Sequence, residues 1–221
     1  MKSLLNLISR IKQKLHGGYD AKKYWQNRFS EFEFDLRGVG NKSLSLKENE
    51  RQYVEAKKVF LFICNENQIN FRNTSVLDIG CGNGFYTKVL KEQGCTKYFG
   101  VDITDVLLNE LRIQFSNYQF DKIDVTKDTL KGIYDLIIMV DVTQHITNEK
   151  KFVYAMQNVR DHLKQNGLFI VTSWLDGKKI DTFYERSRSI ANYKKCFKGD
   201  NFSEPLRFRD KYIFTVRKIS E

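Results

Sequence analysis

Val76-Leu77-Asp78-Ile79-Gly80-Cys81-Gly82-Asn83-Gly84-Phe85 is an apolar run that passes directly into three alternating glycines. The apolar part is typical of a buried β-strand, and a helical pattern begins at Phe85. Glycines at such a junction let the backbone turn tightly and approach a ligand closely, and the free amides at a helix start attract anionic groups. The segment therefore predicts a strand, a turn and a helix that together bind a ligand.

Short apolar runs and helical segments alternate downstream of this unit. Strands are predicted at Val76–Ile79, Tyr98–Val101, Gln119–Ile123, Tyr134–Val140 and Leu168–Trp174, and helices at Phe85–Gln93, Asp105–Phe115 and Glu149–Leu163. This β-α-β alternation favours a parallel sheet covered by helices on both faces. The runs Leu206–Arg209 and Tyr212–Lys218 predict an antiparallel hairpin at the sheet edge. The predicted fold class is α/β, a Rossmann-like doubly wound sheet of seven strands, mostly parallel with an antiparallel C-terminal hairpin, preceded by N-terminal helices.

The composition narrows the class of protein. The chain has 221 residues, of which 41% are hydrophobic, and a single proline, which excludes collagen-like, low-complexity and wholly disordered proteins. Its four cysteines show neither paired spacing nor an accompanying histidine cluster, which favours packing in a reducing compartment over disulfides or a zinc site. No run reaches the ~18 apolar residues of a membrane span, and the N-terminus lacks the pattern of a signal peptide. We therefore expect a cytoplasmic, unprocessed protein.

The formal net charge is +10, and the excess lies in residues 1–75 and 176–221, whereas residues 76–175 are nearly neutral. Basic flanks favour an anionic partner such as a phosphate, a sugar acid, a nucleic acid or a membrane surface, with a solubilising surface as the alternative. Residues 1–18 predict a short basic amphipathic helix. Its apolar face suits peripheral contact with the inner face of a membrane through residues 1–16, or packing on its own domain or on a second copy in a homodimer.

Acids recur where the predicted strands end. Asp102 ends the second strand, Asp124 follows the third strand and Asp141 ends the fourth. Ligands of open α/β sheets bind beyond the carboxyl ends of the strands, which is where these acids and the glycines lie. Two other nucleotide motifs are excluded, because Phe85 occupies the sixth position of G-x-G-x-x-G and no G-x-x-x-x-G-K-[ST] loop is present.

The glycine turn resembles motif I of the class I S-adenosylmethionine (SAM) dependent methyltransferases, D-x-G-x-G-x-G, which Asp78, Gly80, Gly82 and Gly84 match. The resemblance covers about residues 75–175 and implies a methyltransferase with SAM as its cofactor. It implies that the turn, with Cys81, holds the methionyl part of SAM and that Asp78 orients its amino group, directly or through water. The positions implied for the rest of the cofactor are Asp102 for the ribose, Ile103, Asp124 and Val125 for the adenine, and Asp141 and Val142 beside the methyl group.

His145 is the candidate catalytic base, together with Asp141 as a second catalytic candidate. Methyl transfer from a sulfonium is an in-line displacement, so the enzyme must mainly align the nucleophile and exclude water. A base that takes the proton of an acceptor hydroxyl adds about 10² to 10⁴-fold, and an ordinary histidine has a pKa of about 6.5. The alternative for His145 is a local hydrogen bond that holds the loop. Asp141 and His145 alone are too few ligands for a metal, and none is predicted.

Two segments outside the core are predicted to cover the site. Tyr24-Trp25-x-x-Arg28 resembles the Y-W segment that in several bacterial methyltransferases folds over SAM, and Arg28 is a candidate for holding a carboxylate. Packing of Trp25 on the sheet is the alternative. Insert 176–205 is expected on the acceptor side. The predicted organisation is an N-terminal helix at 1–18 and a methyltransferase domain at 19–221, made of a helical cover (19–74), a SAM-binding core (75–175) and the acceptor-side insert with the hairpin (176–221).

The acceptor is narrowed mainly by absent motifs. Pro205 is the only proline, so the [DNS]-P-P-[YF] motif of exocyclic-amine methyltransferases is missing, and so are the cysteine motifs of pyrimidine C5 methylation. The predicted acceptor is an oxygen, less often a nitrogen, of a small molecule, a sugar or a surface glycan, and the basic flanks suit an acidic or phosphorylated one. An RNA methyltransferase and a SAM-binding partner protein without activity are the alternatives.

Overall fold

The computed structural model describes residues 19–175 and 184–219. The predicted helix at 1–18, with its membrane and dimer contacts, lies outside the described residues, as does part of the insert. Among the helices in the described ranges, none is both long enough and apolar enough to cross a bilayer.

Three helices precede the sheet, namely α1 (Ala21–Phe32), α2 (Leu36–Val39) and α3 (Leu46–Glu66). Asp20 caps α1, because its carboxylate accepts a hydrogen bond from the backbone N–H of Lys23. Ser45 caps α3 through the N–H of Glu48. The Glu48 side chain pairs with Arg51 and so does not complete a capping box. Both helices therefore begin where a local cap satisfies their first free N–H groups.

One sheet contains all the strands of the described residues. They are β1 (Ser75–Ile79), β2 (Lys97–Asp102), β3 (Gln119–Lys122), β4 (Tyr134–Met139), β5 (Leu163–Ser173), β6 (Asn201–Phe202), β7 (Leu206–Phe208) and β8 (Lys211–Arg217). Their order is β3-β2-β1-β4-β5-β8-β6, with β7 also paired to β8. Strands β1 to β5 are parallel, and β8 runs antiparallel to β5, β6 and β7. The order reverses between β1 and β4, which places a crevice at their carboxyl ends.

Helices cover both faces of the sheet, as predicted. They are α4 (Phe85–Glu92), α5 (Leu108–Gln114), α6 (Glu149–Asp161) and α7 (Ile190–Cys196), and a 3₁₀ turn, η1 (Thr143–His145), follows β4. Neighbouring strand residues point to opposite faces. Val76 and Leu136 therefore pack with α3, α4 and α5, whereas Leu77 and Ile137 pack with α6 and α7. All four cysteines are free, and three of them are buried.

The C-terminal half of the sheet differs from the prediction in two places. The described residues form eight strands where seven were predicted, because β6 and β7 lie one after the other along the same edge of β8. Pro205 falls between them, and proline has no N–H to donate to a strand ladder. The second difference is that Leu163, predicted as helical, already belongs to β5. It pairs with Tyr134 and is buried, and the register then shifts before Leu136.

Candidate active site

A cavity of about 550 Å³ opens at the carboxyl ends of β1, β2, β3 and β4. We call it the glycine-turn cavity, after Gly80 and Gly82 on its wall. The predicted site residues that line it are Gly80, Cys81, Gly82, Asp102, Ile103, Asp124, Val125, Asp141, Val142, Trp25 and His145. The predicted residues outside its wall are Asp78, Gly84, Tyr24 and Arg28. The structure thus brings most of the predicted set, from four strand ends and one helix, around one space.

The turn after β1 depends on glycine for two separate reasons. Gly80, Gly82 and Gly84 have φ angles of +77°, +52° and +78°, in the left-handed region where other residues are strained. A Cβ atom on residue 80 would also collide with Cγ2 of Val142, which follows β4. The N–H of Gly80 donates to the carbonyl of Val101 at 2.7 Å, which fixes the turn on β2. The backbone therefore lies against the end of β4, and a side chain on residue 80 would not fit there.

Asp102 ends β2 with its carboxylate on the wall of the glycine-turn cavity. One oxygen accepts a hydrogen bond from the N–H of Gly82 at 3.1 Å, and the other from the N–H of Thr104 at 3.0 Å. A carboxylate oxygen can accept a second hydrogen bond, so the group can still bind two hydroxyls. Burial raises the pKa of Asp102 to about 6, although the backbone bonds oppose this shift. Two donated hydroxyl bonds would offset the cost of burying the charge.

Asp78 lies in the core against Tyr98 and not on the cavity wall. The Tyr98 hydroxyl donates to its carboxylate at 2.8 Å, and Thr87 Oγ1 lies 2.7 Å from the same hydroxyl. Burial raises the pKa of Asp78 to about 7. Direct contact between Asp78 and a ligand of the cavity does not follow from this arrangement. Its predicted role in orienting an amino group stays a prediction, as does that of Gly84.

Asp124 follows β3 and is held by its own loop. Its Oδ1 accepts hydrogen bonds from both the N–H and the hydroxyl of Thr126, at 3.0 and 2.7 Å. Its Oδ2 lies 4.0 Å from Nζ of Lys127. This Asx-type turn presents the carboxylate at the cavity in one orientation. The predicted contacts of Asp124 and Val125 with an adenine stay predictions.

A second cavity, of about 560 Å³, shares a wall with the first. The residues that line both cavities are Trp25, Val39, Asp141 and His145. The rest of its wall comes from α1, the loop before α3, α3 itself, Gln144, Trp174, residues 184–185 and the turn between β7 and β8, and we call it the hairpin cavity. Tyr24 and Arg28 of the predicted cover lie on this cavity.

His145, in η1, is partly buried and neutral. Its Nδ1 lies 3.1 Å from the carbonyl oxygen of Tyr184. A carbonyl only accepts hydrogen bonds, so Nδ1 carries the hydrogen and Nε2 keeps a free lone pair. Burial lowers the pKa of His145 to about 3, far below the ordinary value, and the charges of Lys211 and Arg28 lower it further. The imidazole therefore remains in its neutral, hydrogen-bond-accepting form throughout the physiological pH range.

The predicted aromatic cover packs against this histidine. The Trp25 ring meets the His145 ring edge-on with 5.0 Å between centroids, and Tyr24 stacks on Tyr184 at 5.3 Å. Arg28 donates to the Tyr24 hydroxyl at 2.9 Å and to the backbone carbonyls of residues 37 and 40. One terminal nitrogen of Arg28 thus bonds within α1, and the other ties α1 to the segment before α3. The roles of Tyr24, Trp25 and Arg28 in holding SAM stay predictions.

Asp141 is held by two cations that sequence reasoning did not find. Its carboxylate pairs with Arg209 and, at 2.8 Å, with Lys211, and its N–H donates to Thr172. The charged turn between β7 and β8 is visible in the sequence, but its contact with a residue 70 positions earlier is not. Within residues 19–175 and 184–219, no group of three or more His, Cys, Asp or Glu side chains is placed to hold a metal ion.

The described part of the insert runs along η1 and fixes it. The N–H of Arg186 donates to the carbonyl of Gln144 at 2.8 Å. The buried guanidinium of Arg188 donates to the carbonyls of Thr143, at 3.1 Å, and Ile146. The insert was predicted on the acceptor side, but no local pattern indicated that it would hold the loop of His145.

Comparison with known proteins agrees with this geometry. A family model described as "Methyltransferase domain" matches residues 46–200, which is more than two thirds of the chain. The chain belongs to this methyltransferase family. With its sheet and glycine turn it is a class I SAM-dependent methyltransferase, so the predicted fold, enzyme class and cofactor are confirmed.

The methyltransferase is similar to proteins named ubiquinone biosynthesis O-methyltransferase in Rickettsia. It is 29% identical to the protein of Rickettsia conorii over 159 residues, which are 66% of this chain and 52% of that protein. It is 28% identical to the protein of Rickettsia typhi over 115 residues, 49% of this chain and 44% of that protein. The methyltransferase thus spans about half the length of these curated relatives.

Solved structures share the fold at low sequence identity. An amino pentose methyltransferase from Micromonospora echinaspora, solved with SAM, has a TM-score of 0.64 at 10% identity and covers 79% of this chain and 97% of its own. A SAM-dependent methyltransferase from Clostridium acetobutylicum has a TM-score of 0.61 at 18% identity, covering 76% and 92%. The N-methyltransferase NodS from Bradyrhizobium japonicum has a TM-score of 0.60 at 14% identity, covering 87% and 98%.

The residues of the glycine-turn cavity fit SAM on their own chemistry. Gly80 leaves room that a Cβ would fill, and Asp102 keeps acceptor capacity for a pair of hydroxyls. Ile103 and Val125 supply apolar surface on the same wall. A nucleoside with a polar tail matches this combination of polar and apolar groups.

Proposed function

We propose that the methyltransferase transfers a methyl group from SAM to an oxygen of a small-molecule acceptor, a hydroxyl-bearing ring such as a sugar or the end of a glycan. The observation that carries this proposal is the wall of Trp25, Asp141 and His145 shared by the two cavities. A donor in the glycine-turn cavity and an acceptor in the hairpin cavity would meet across that wall. At about 560 Å³ the hairpin cavity has the size of a small-molecule site.

Aromatic side chains on the hairpin cavity support a ring-shaped acceptor. Trp25 and Trp174 line it together with the stacked pair Tyr24 and Tyr184. Such rings offer flat apolar faces and polar edges, which suit both sugar rings and aromatic rings. The names of the similar proteins, which include O-methyltransferases and an amino pentose methyltransferase, support the same two ring types. We favour an oxygen acceptor because a neutral imidazole can accept the proton of a hydroxyl.

Different residues of the chain have different roles in the proposed reaction. SAM, when bound, supplies a methyl group on a positively charged sulfur. Asp102 accepts hydrogen bonds from hydroxyls, Trp25 excludes water from the space between the cavities, and Nε2 of His145 accepts the proton of the acceptor hydroxyl. Tyr184 supports that last role, since its carbonyl holds the other nitrogen of His145 in the protonated state. The low pKa of His145 keeps Nε2 unprotonated before each turnover but also makes it a weak base. The proton therefore moves to Nε2 only as the oxygen–methyl bond forms and the hydroxyl becomes strongly acidic.

Asp141 takes a different role from the catalytic one predicted from the sequence. Both of its oxygens are already bound to cations, Arg209 and Lys211. A carboxylate held in this way is a poor proton acceptor, because two neighbouring positive charges favour its ionised form. We therefore assign Asp141 to the positioning of the turn between β7 and β8 at the cavity.

The acceptor can be identified with isotopically labelled SAM. The enzyme is incubated with a fractionated metabolite extract and, separately, with total RNA and with SAM carrying a ¹³C-methyl group. Mass spectrometry should then find the label on an oxygen of one small hydroxylated compound. Label in nucleosides from the digested RNA would establish the RNA alternative instead. Label on a nitrogen would overturn the choice of atom, and no label in any fraction would favour the protein without activity.

The His145→Ala variant tests the proposed proton acceptor. We expect turnover with the extract fraction that contains the acceptor to fall by about 100-fold or more, because a positioned base increases the rate by about 10² to 10⁴-fold. The affinity for S-adenosylhomocysteine, measured by calorimetry, should remain unchanged. His162→Ala is the matched control, since His162 lies at the end of α6 with Nδ1 bonded to the carbonyl of Asn158. Full activity of His145→Ala would remove His145 from the mechanism.

A further inference from the structure

Two nearly buried cations face the hairpin cavity on one carboxylate. The side chains of Arg209 and Lys211 are 10% and 8% exposed, and both pair with Asp141. Trp174 covers Lys211, with Nζ 4.6 Å from the ring centroid. Charges this deeply placed are costly unless each is matched by an opposite charge and by hydrogen bonds. One carboxylate for two cations leaves positive charge unmatched at this point.

The other acidic side chains near Arg209 and Lys211 do not fully balance their positive charge. Asp210 lies 3.7 Å from Lys211, but its side chain is 67% exposed and also accepts a hydrogen bond from Trp174. Glu185 faces Lys211 from the insert, and burial raises its pKa, which disfavours its charged form. Arg28, on α1, adds another positive charge to the same cavity.

Guanidinium N–H groups without a hydrogen-bond partner also indicate an anion site. The Nε atom of Arg209 is buried without a hydrogen-bond partner, and so is the Nε atom of Arg28. A buried guanidinium N–H without a partner loses its hydration and gains nothing in return. Oxygen atoms of a bound anion are the acceptors that such donors match best.

The backbone at this point is also strained. Asp141 and Arg209 both have positive φ angles, +62° and +55°, in the left-handed region that favours glycine. Such strain clusters where a ligand is held, and the two residues are the partners of one ion pair.

We propose that the hairpin cavity holds an anionic group of the acceptor, a phosphate or a carboxylate, on Arg209 and Lys211. The acceptor is then a small hydroxylated anion, such as a sugar phosphate or a ring that carries a carboxylate. This inference rests on the proposed function for the identity of the anion as the acceptor, but the binding of an anion at this place stands on the cavity alone. Asp141 holds the two cations at the shared wall, and the anion balances the positive charge that Asp141 does not neutralise.

Anion binding should be accompanied by proton uptake. Burial lowers the pKa of Lys211 to about 8, with Arg209 as the next cause, so part of Lys211 is neutral in slightly alkaline solution. The groups that face it are Asp141, Arg209, Asp210, Glu185, the neutral His145 and the ring of Trp174. A bound anion favours the charged form and raises the pKa of Lys211, so the protein takes up protons at a pH of about 8.

Calorimetric titration with inorganic phosphate tests this site. It is done at constant ionic strength and at a pH of about 8, with and without S-adenosylhomocysteine, in buffers of different ionisation enthalpy. We expect saturable binding with proton uptake, and a loss of affinity of about tenfold or more in Arg209→Gln, because a buried ionic hydrogen bond is removed. Arg209→Lys, which keeps the charge but lacks the Nε donor, should lose less affinity than Arg209→Gln.

Arg207→Gln is the matched control. Arg207 belongs to the same hairpin, the substitution removes the same charge, and the residue lines neither cavity. Phosphate that binds Arg209→Gln as well as Arg207→Gln, or that does not saturate the wild-type protein, would overturn the anion site. Failure of S-adenosylhomocysteine to bind the wild-type protein would instead overturn the proposed function, and the phosphate titration distinguishes the two because it needs no methyl donor.

Discussion

The two cavities are built in different ways although they share a wall. The glycine-turn cavity is formed by the ends of neighbouring parallel strands, so its walls come from the sheet itself. The hairpin cavity is formed by α1, the loop before α3, α3, the insert and the turn between β7 and β8. These segments lie apart in the sequence, and polar side-chain contacts join several of them to their neighbours. If the two cavities bind donor and acceptor as proposed, donor binding depends on backbone geometry, whereas acceptor binding depends on side chains that can be exchanged one at a time.

Gly80→Ala should disrupt the backbone-built cavity most. The new Cβ would collide with Val142 and would sit on a residue with φ of +77°. We expect the affinity for S-adenosylhomocysteine to fall by about 100-fold or more, because left-handed strain alone costs roughly 1–3 kcal/mol. Calorimetry measures the affinity, and urea unfolding measures the stability of the same variant.

Gly94→Ala separates the collision from the strain. Gly94 also has a positive φ, +80°, but there the nearest atoms to a new Cβ belong to Arg72 at 3.6 Å, which is ordinary contact. We expect this control to lose about 1 kcal/mol of unfolding free energy and to keep its cofactor affinity. Equal cofactor affinity in the Gly80 and Gly94 variants would contradict the view that the turn shapes the donor site.

Asp102→Asn tests the one charged group on which the glycine-turn cavity depends. We expect the affinity for S-adenosylhomocysteine to fall by about 10 to 50-fold, since hydrogen bonds to a charged group are worth about 1.5–3 kcal/mol. Because burial raises the pKa of Asp102 to about 6 in the free protein, the carboxylate is ionised above that pH and protonated below it. The wild-type affinity should therefore weaken as the pH falls through about 6, and the variant should lose this dependence.

Asp121→Asn is the control for that measurement. Asp121 lies on β3, pairs with Lys131 on the surface and lines neither cavity. Its variant should keep both the wild-type affinity and the fall of affinity through a pH of about 6. A pH dependence that survived in Asp102→Asn would assign the titration to another group, such as Asp78.

The donor half of the site could be predicted from the sequence because its signals are local. A strand that runs into glycines, and an acid where the next strand ends, fix the positions of Gly80 and Asp102 through chain geometry alone. Parallel strands then bring their carboxyl ends together without further information. The same reasoning was less informative for Asp78, because whether its carboxylate faces the cavity or the Tyr98 hydroxyl depends on a residue of the neighbouring strand.

The acceptor half could not be predicted because its contacts join distant segments. Nothing near Asp141 in the sequence indicates Arg209 or Lys211, and a charged hairpin turn is usually solvated. The pKa of His145 could not be predicted either, since it depends on burial under Trp25 and Tyr184. These two residues belong to segments that come before and after the core in the sequence. The sequence shows the chemical type of each residue, but tertiary packing determines which residues it contacts.

Arg188→Gln tests how far the two halves are independent, and its expected effect is the smallest. The guanidinium of Arg188 donates to the carbonyls of Thr143 and Ile146, on either side of His145, and lies 4.0 Å from the ring centroid of Phe152. Without these bonds the loop of His145 should lose its fixed position. We expect turnover in the active fraction to fall by about tenfold, and the unfolding free energy to fall by about 1.5–3 kcal/mol.

Cofactor affinity distinguishes a positioning role for Arg188 from general loosening of the fold. Arg188 lines neither cavity, so the affinity for S-adenosylhomocysteine should stay at the wild-type value while turnover falls. Arg186→Gln is the matched control, because its guanidinium is 39% exposed and should change the unfolding free energy by less than about 1 kcal/mol. If Arg188→Gln instead weakened cofactor binding as much as turnover, the insert would shape the glycine-turn cavity as well. Donor binding and acceptor binding would then be coupled. Substitutions in the covering segments would then no longer be expected to change the choice of acceptor without also changing cofactor binding.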